Sequence, residues 1–211
     1  MIMYRNHSDT LIIVLHEIYG INEHITKTCR GLADAGYDVV CPDLLDGRPP
    51  YDYSREEEAY RYFLNFAGLE PSAKRVAFLA RQEEREYRHI FLLGYSAGAT
   101  IAWLCGGDFG KYDGSLVYSG IICYYGSRIR DYTELMPKCP ALLLFAEEEK
   151  AFDPLQLSSD LGKEKTEVHI LKGMHGFADP YSPNYNKASA AEANQITVSF
   201  LERMTGKDDI T

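Results

Sequence analysis

The sequence has no basic stripe, no paired-cysteine motif, no apolar run of membrane-spanning length and no low-complexity segment. Each absence removes a class of function. With 22 Lys and Arg against 31 Asp and Glu, the net charge is -9. Nucleic-acid binding needs clustered cations to displace phosphate counterions, so no such partner is expected. The five cysteines, Cys29, Cys41, Cys105, Cys123 and Cys139, stand singly. Without a CxxC pair or a Cys/His cluster, neither a metal site nor a redox centre is expected. Their odd number and scatter give no disulfide framework and suit a reducing compartment. The apolar runs are strand-sized, well short of the ~20 residues that span a bilayer, so no membrane partner is expected. The first ten residues carry Arg5 and His7 without an apolar core and do not read as a signal peptide. A cytoplasmic location is the expectation.

What is there is ordinary in bulk and specific in detail. Hydrophobic residues make up 45% of the 211 and charged residues 25%, the balance of a chain that buries a core. A single domain over 1–211 is expected, large enough to need no cross-link. Short runs rich in Val, Ile and Leu at 11–15, 37–41, 90–93, 116–123, 141–145 and 167–171 lack strict alternation, as strands covered on both faces do. Helical spacing separates them at 25–35, 55–66, 73–87, 97–105, from 153, and at 188–204. Strand alternating with helix predicts an α/β fold: a mostly parallel sheet of about six strands with helices on both faces. The Pro-, Asp- and Tyr-rich stretch 42–54 follows the second strand. It should lie at the carboxyl edge of the sheet, where ligands bind in such folds.

The sharpest local signal is Gly94-Tyr95-Ser96-Ala97-Gly98. A buried strand runs into it and an apolar helix leaves it. A nucleophilic serine on that turn stands above the sheet edge, and the glycines let neighbouring chain pass closely. The hydroxyl is a poor nucleophile until a base takes its proton. His175, in a Gly-flanked segment after the last strand, is the candidate base. Of the other five, His7, His16, His24, His89 and His169, His7 is in the N-terminal tail, and His24, His89 and His169 sit in helix or strand contexts with no route to the turn. An acid to orient the imidazole should follow strand 141–145. Spacing favours Glu149; Asp153 competes, though its place before Pro154 suits a helix N-cap.

These residues together resemble the dienelactone hydrolase family of α/β-hydrolases. The resemblance extends from Leu11 to about Met204. It rests on His16-Glu17-Ile18-Tyr19-Gly20-Ile21-Asn22, on Cys41-Pro42-Asp43-Leu44, on the 94–98 turn, on Tyr124-Tyr125-Gly126 and on His175-Gly176-Phe177. It implies an oxyanion hole from the backbone amides of Ile18 and Ala97, which also fits the general rule of one amide after the nucleophile and one from an early loop. It implies that Glu17 lies beside the nucleophile. Where the family's best-known members carry cysteine this chain has Ser96, and where they carry carboxylate-gripping arginines it has Glu56 and Asp179. The expected activity is cleavage of a small carboxylic ester or lactone through an acyl-enzyme, with no metal or cofactor. Tyr19, Tyr60, Phe63, Tyr95 and Tyr125 are candidate walls of the pocket. A thioesterase, a small amide or peptide hydrolase and a non-catalytic scaffold of this fold are the alternatives. A homodimer is compatible with the sequence.

Overall fold

The computed structural model describes residues 1–107, 118–161 and 164–206. Among these residues seven strands form one sheet: β1 (Ile2–Tyr4), β2 (Thr10–Leu15), β3 (Asp38–Cys41), β4 (His89–Tyr95), β5 (Gly120–Tyr124), β6 (Ala141–Glu148) and β7 (Thr166–Met174). Their spatial order is β1-β3-β2-β4-β5-β6-β7, and every pairing is parallel except β1 with β3. The additional strand is β1. Three residues are too few for alternation to register in the sequence, and β1 exists because Ile2 and Tyr4 pair with Cys41 and Val39. Of the strand expected at 116–123, residues 116–117 lie outside the described residues.

Among the described residues six α-helices flank the sheet: α1 (Glu23–Asp34), α2 (Glu56–Tyr62), α3 (Leu69–Glu83), α4 (Ala97–Gly106), α5 (Pro154–Asp160) and α6 (Lys187–Thr205). Asn22, Asp153 and Asn186 cap α1, α5 and α6 by accepting from backbone N–H groups of the first turn. The helix expected at 55–66 is α2 continued by a π-helical segment, Phe63–Ala67, closed at Gly68 with φ +66°. That break lets α3 begin at Leu69, earlier than the apolar spacing predicts.

Alternation along the strands divides the core into two layers. Leu11, Ile13 and Leu15 face α3 and α4, while Ile12 and Val14 face α1 and α6. Every residue of α4 is buried, which explains why its sequence is apolar all round rather than on one stripe. Two loops at the carboxyl edge are fastened by a fully buried imidazole. His16 Nδ1 bonds the Glu17 carbonyl at 2.6 Å, and His16 Nε2 accepts from Leu44 N–H at 3.0 Å. Because Nε2 accepts, Nδ1 carries the proton and the ring is neutral; burial lowers its pKa accordingly. On β7, Lys172 and Gly173 together oppose Glu147 of β6, a bulge with Gly173 at φ +117°. Among the described residues no helix is long and apolar enough to cross a membrane.

Candidate active site

The turn from β4 into α4 puts Ser96 at φ 52° and ψ -110°, outside the regions an L-residue ordinarily occupies. Such a residue costs on the order of 1–3 kcal/mol and persists only where its surroundings hold it. Here Ser96 N–H bonds the Tyr124 carbonyl at 2.9 Å, and the Ser96 carbonyl accepts from Thr100 N–H at 3.1 Å. The glycines are sterically required. A Cβ on Gly94 would stand 2.2 Å from the Gly98 carbonyl oxygen, and one on Gly98 would stand 2.1 Å from that of Leu15.

β7 ends at Met174 and delivers His175 to the same edge, with Gly176 at φ +88° and Asn184 Nδ2 bonding the His175 carbonyl at 2.8 Å. The imidazole Nε2 lies 2.9 Å from Ser96 Oγ. Its Nδ1 lies 3.0 and 3.1 Å from the two carboxylate oxygens of Glu149. β6 runs to Glu148, so Glu149 is the first residue beyond it, with a side chain only 2% exposed. Asp153 instead spends its carboxylate on the N–H groups of Leu155 and Gln156.

Ile18 and Ala97 line the cavity above Ser96. The Ala97 N–H is the first of α4, a position with no acceptor inside the helix. The cavity has a volume of about 390 Å³ and a mixed wall. Tyr19, Tyr53, Tyr60 and Phe63 supply aromatic surface, Glu17, Glu56, Glu148, Glu149 and Asp179 carboxyl groups, and Arg128 and Arg130 on the segment after β5, with Lys150, positive charge.

Electrostatics at the centre follows from burial and crowding. Burial, opposed by His175 and the Tyr125 hydroxyl and aided by nearby Asp179, raises the Glu17 carboxyl to a pKa of about 7. Burial alone would lower the pKa of His175. The Glu149 bond and charge, with Glu17 and Glu56 behind them, outweigh it and leave the value raised. Tyr19 is pushed up by burial and by Glu56, Glu17 and Asp179.

Two expected wall residues lie elsewhere. Tyr125, at φ 39°, is fully buried with its ring against the imidazole of His175, centroids 4.9 Å apart. Tyr95 is likewise buried, edge-on to His24 at 4.6 Å. His24 itself is closer to the site than its helical context suggested, with Nδ1 3.9 Å from Asp179. Sequence reasoning missed Tyr53, Arg128 and Arg130. Tyr53 sits in the irregular stretch 42–54, and that stretch was its one signal. Nothing in the sequence marked the two arginines.

A strained serine between a parallel strand and a buried helix, met by a histidine from the loop after the last strand, places the chain among the α/β-hydrolases. The dienelactone hydrolase family matches residues 3–205, and the chain belongs to it. It is 41% identical over 182 residues to the uncharacterized protein YczH of Bacillus subtilis (strain 168), covering 84% of this chain and 85% of that one. It is 27% identical over 214 residues to the carboxymethylenebutenolidase of Pseudomonas putida, covering 93% and 87%. Its fold is similar to that of the dienelactone hydrolase-like promiscuous phosphotriesterase P91 from metagenomic libraries. There the TM-score is 0.71 at 15% identity, over 92% of this chain and 86% of that one. Membership makes the protein a hydrolase of the ester or lactone type.

Proposed function

We propose that the protein is a serine hydrolase that cleaves a small carboxylic ester or lactone by way of an acyl-enzyme. The observation carrying this reading is the unbroken hydrogen-bonded chain from Ser96 Oγ through His175 to Glu149 at the floor of the cavity. His175 Nε2 takes the Ser96 proton as Oγ attacks the substrate carbonyl. Glu149 accepts from Nδ1–H and stabilises the imidazolium that forms. The tetrahedral oxyanion is held by the N–H groups of Ile18 and Ala97. On collapse His175 gives its proton to the leaving alkoxide, which departs as an alcohol or, from a lactone, stays tethered to the acyl group. Water then repeats the sequence on the acyl-enzyme: its proton passes to His175 and on to Ser96 Oγ, and the carboxylic acid is released. Glu17, Tyr19 and Tyr60 border the space that the substrate fills.

The direct test pairs a fluorophosphonate probe with a panel of short p-nitrophenyl esters. The wild type is expected to be labelled and to turn over neutral esters, and Ser96→Ala to do neither while keeping its fold by circular dichroism. A wild type that resists the probe and cleaves no ester refutes the reading.

A further inference from the structure

The loops that bear Ile18 and His175 meet the strap after β3 at one hydroxyl group. Asn22 Nδ2, at the end of the loop that bears Ile18, donates to Tyr53 Oη at 3.0 Å. Tyr53 Oη in turn donates to Asp179 Oδ2, on the loop that bears His175. Tyr53 itself belongs to the strap after β3, whose Tyr51 N–H bonds the Tyr19 carbonyl at 2.9 Å. The Tyr53 ring rests against Tyr19, centroids 4.7 Å apart. Asp179 is 1% exposed; its second oxygen accepts from Tyr181 N–H at 2.8 Å. The nearest imidazole, His24, lies 3.9 Å away, beyond hydrogen-bond distance, and burial lowers its pKa. The Tyr53 hydroxyl is therefore the side-chain donor that ties Asp179 to the strap.

Resting on the reaction assigned above, we propose that Tyr53 is a positioning residue. Its hydroxyl, bonded at once to Asn22 and Asp179, sets the distance between the Ile18 oxyanion donor and the His175 base. The attraction of the arrangement is geometric. Ile18 and His175 stand on loops that follow β2 and β7, strands separated in the sheet by β4, β5 and β6, so the sheet alone does not fix one loop tip against the other. A misplacement of the order of 1 Å between donor and base can lower the chemical step about a hundredfold.

The test is Tyr53→Phe, which removes one oxygen and leaves the ring contact with Tyr19. It is read in kcat and KM separately on a neutral p-nitrophenyl ester. The expected result is a fall in kcat of roughly ten- to a hundredfold with KM changed less than about threefold. Asn22→Asp supplies the second arm. It keeps the Oδ atom that caps α1 through Ile25 N–H and removes the donor to Tyr53, and the same kcat-led loss is expected. A change in KM alone would make Tyr53 a substrate contact and overturn the proposal, as would unchanged kcat in both variants. Wild-type labelling and turnover, measured in parallel, separate failure of this proposal from failure of the serine-hydrolase reading.

Discussion

Replacing Glu149 by Gln removes one negative charge without changing shape, in a side chain that is already 2% exposed. In the wild type both carboxylate oxygens stand within 3.1 Å of His175 Nδ1, so the proton on that ring sits on Nδ1 and Nε2 is free to accept from Ser96. A glutamine can present its amide nitrogen there. The favoured tautomer then carries its proton on Nε2, which donates to Ser96 Oγ and cannot take the serine proton. Loss of tautomer control and of imidazolium stabilisation together cost about 10³–10⁴ in kcat, or roughly 4–5.5 kcal/mol of barrier. The pH profile gives a second, signed readout. Below the raised pKa of His175 the base is already protonated, so wild-type activity is lost as pH falls through that value. Glu149 supplies the largest raising contribution, so the acid limb of Glu149→Gln should move to lower pH. Initial rates on a neutral p-nitrophenyl ester between pH 5 and 10, with thermal melts as a folding control, check both. The reasoning is refuted if Glu149→Gln keeps kcat within tenfold of wild type, or if Asp153→Asn abolishes activity instead.

Two further outcomes follow from the charges around the cavity. Glu17 titrates near 7 when folded against an ordinary value of 4.5, so the native state holds a proton that the unfolded chain gives up. Stability should therefore fall as pH rises from about 4.5 to about 7, and Glu17→Gln should exceed wild type by on the order of 3 kcal/mol above that window, measured by urea denaturation at pH 5 and 8. Because Glu17, Glu56 and Asp179 border the cavity, a p-nitrophenyl ester with a free carboxylate on its acyl chain should react with a kcat/KM about tenfold below its neutral counterpart, partly recovered in Glu56→Gln or at high salt. Faster cleavage of the anionic ester would instead make the cations of the wall, Arg128, Arg130 and Lys150, the dominant charges.

The fold was legible because its strands are buried on both faces and so read as unbroken apolar runs. The residues that meet at its edge were legible for the same reason. A turn as tight as that at Ser96 forces glycine at 94 and 98, and a loop that brings His175 back needs glycines on either side. Glu149 was one of several acids in reach. Spacing favoured it, and the end of β6 at Glu148, the diversion of Asp153 to a helix cap and the contact of Glu149 with His175 Nδ1 distinguish it. Tyr125 misled because its fully buried ring packs against His175 and Phe177, contacts between distant segments that leave no local pattern. Tyr53 and Asp179 meet across 126 positions of chain, a contact made by tertiary packing that leaves no local pattern.

The doubled residue opposite Glu147 is taken up by the bulge: Leu171 pairs with Ala146 and Met174 with Glu148, so β7 regains the phase of β6 before it ends. The imidazole at the next position therefore leaves the sheet on the side that β6 sets. A residue inserted in the regular part of β7, with no bulge to absorb it, would exchange the faces of everything downstream and turn that ring away from Ser96.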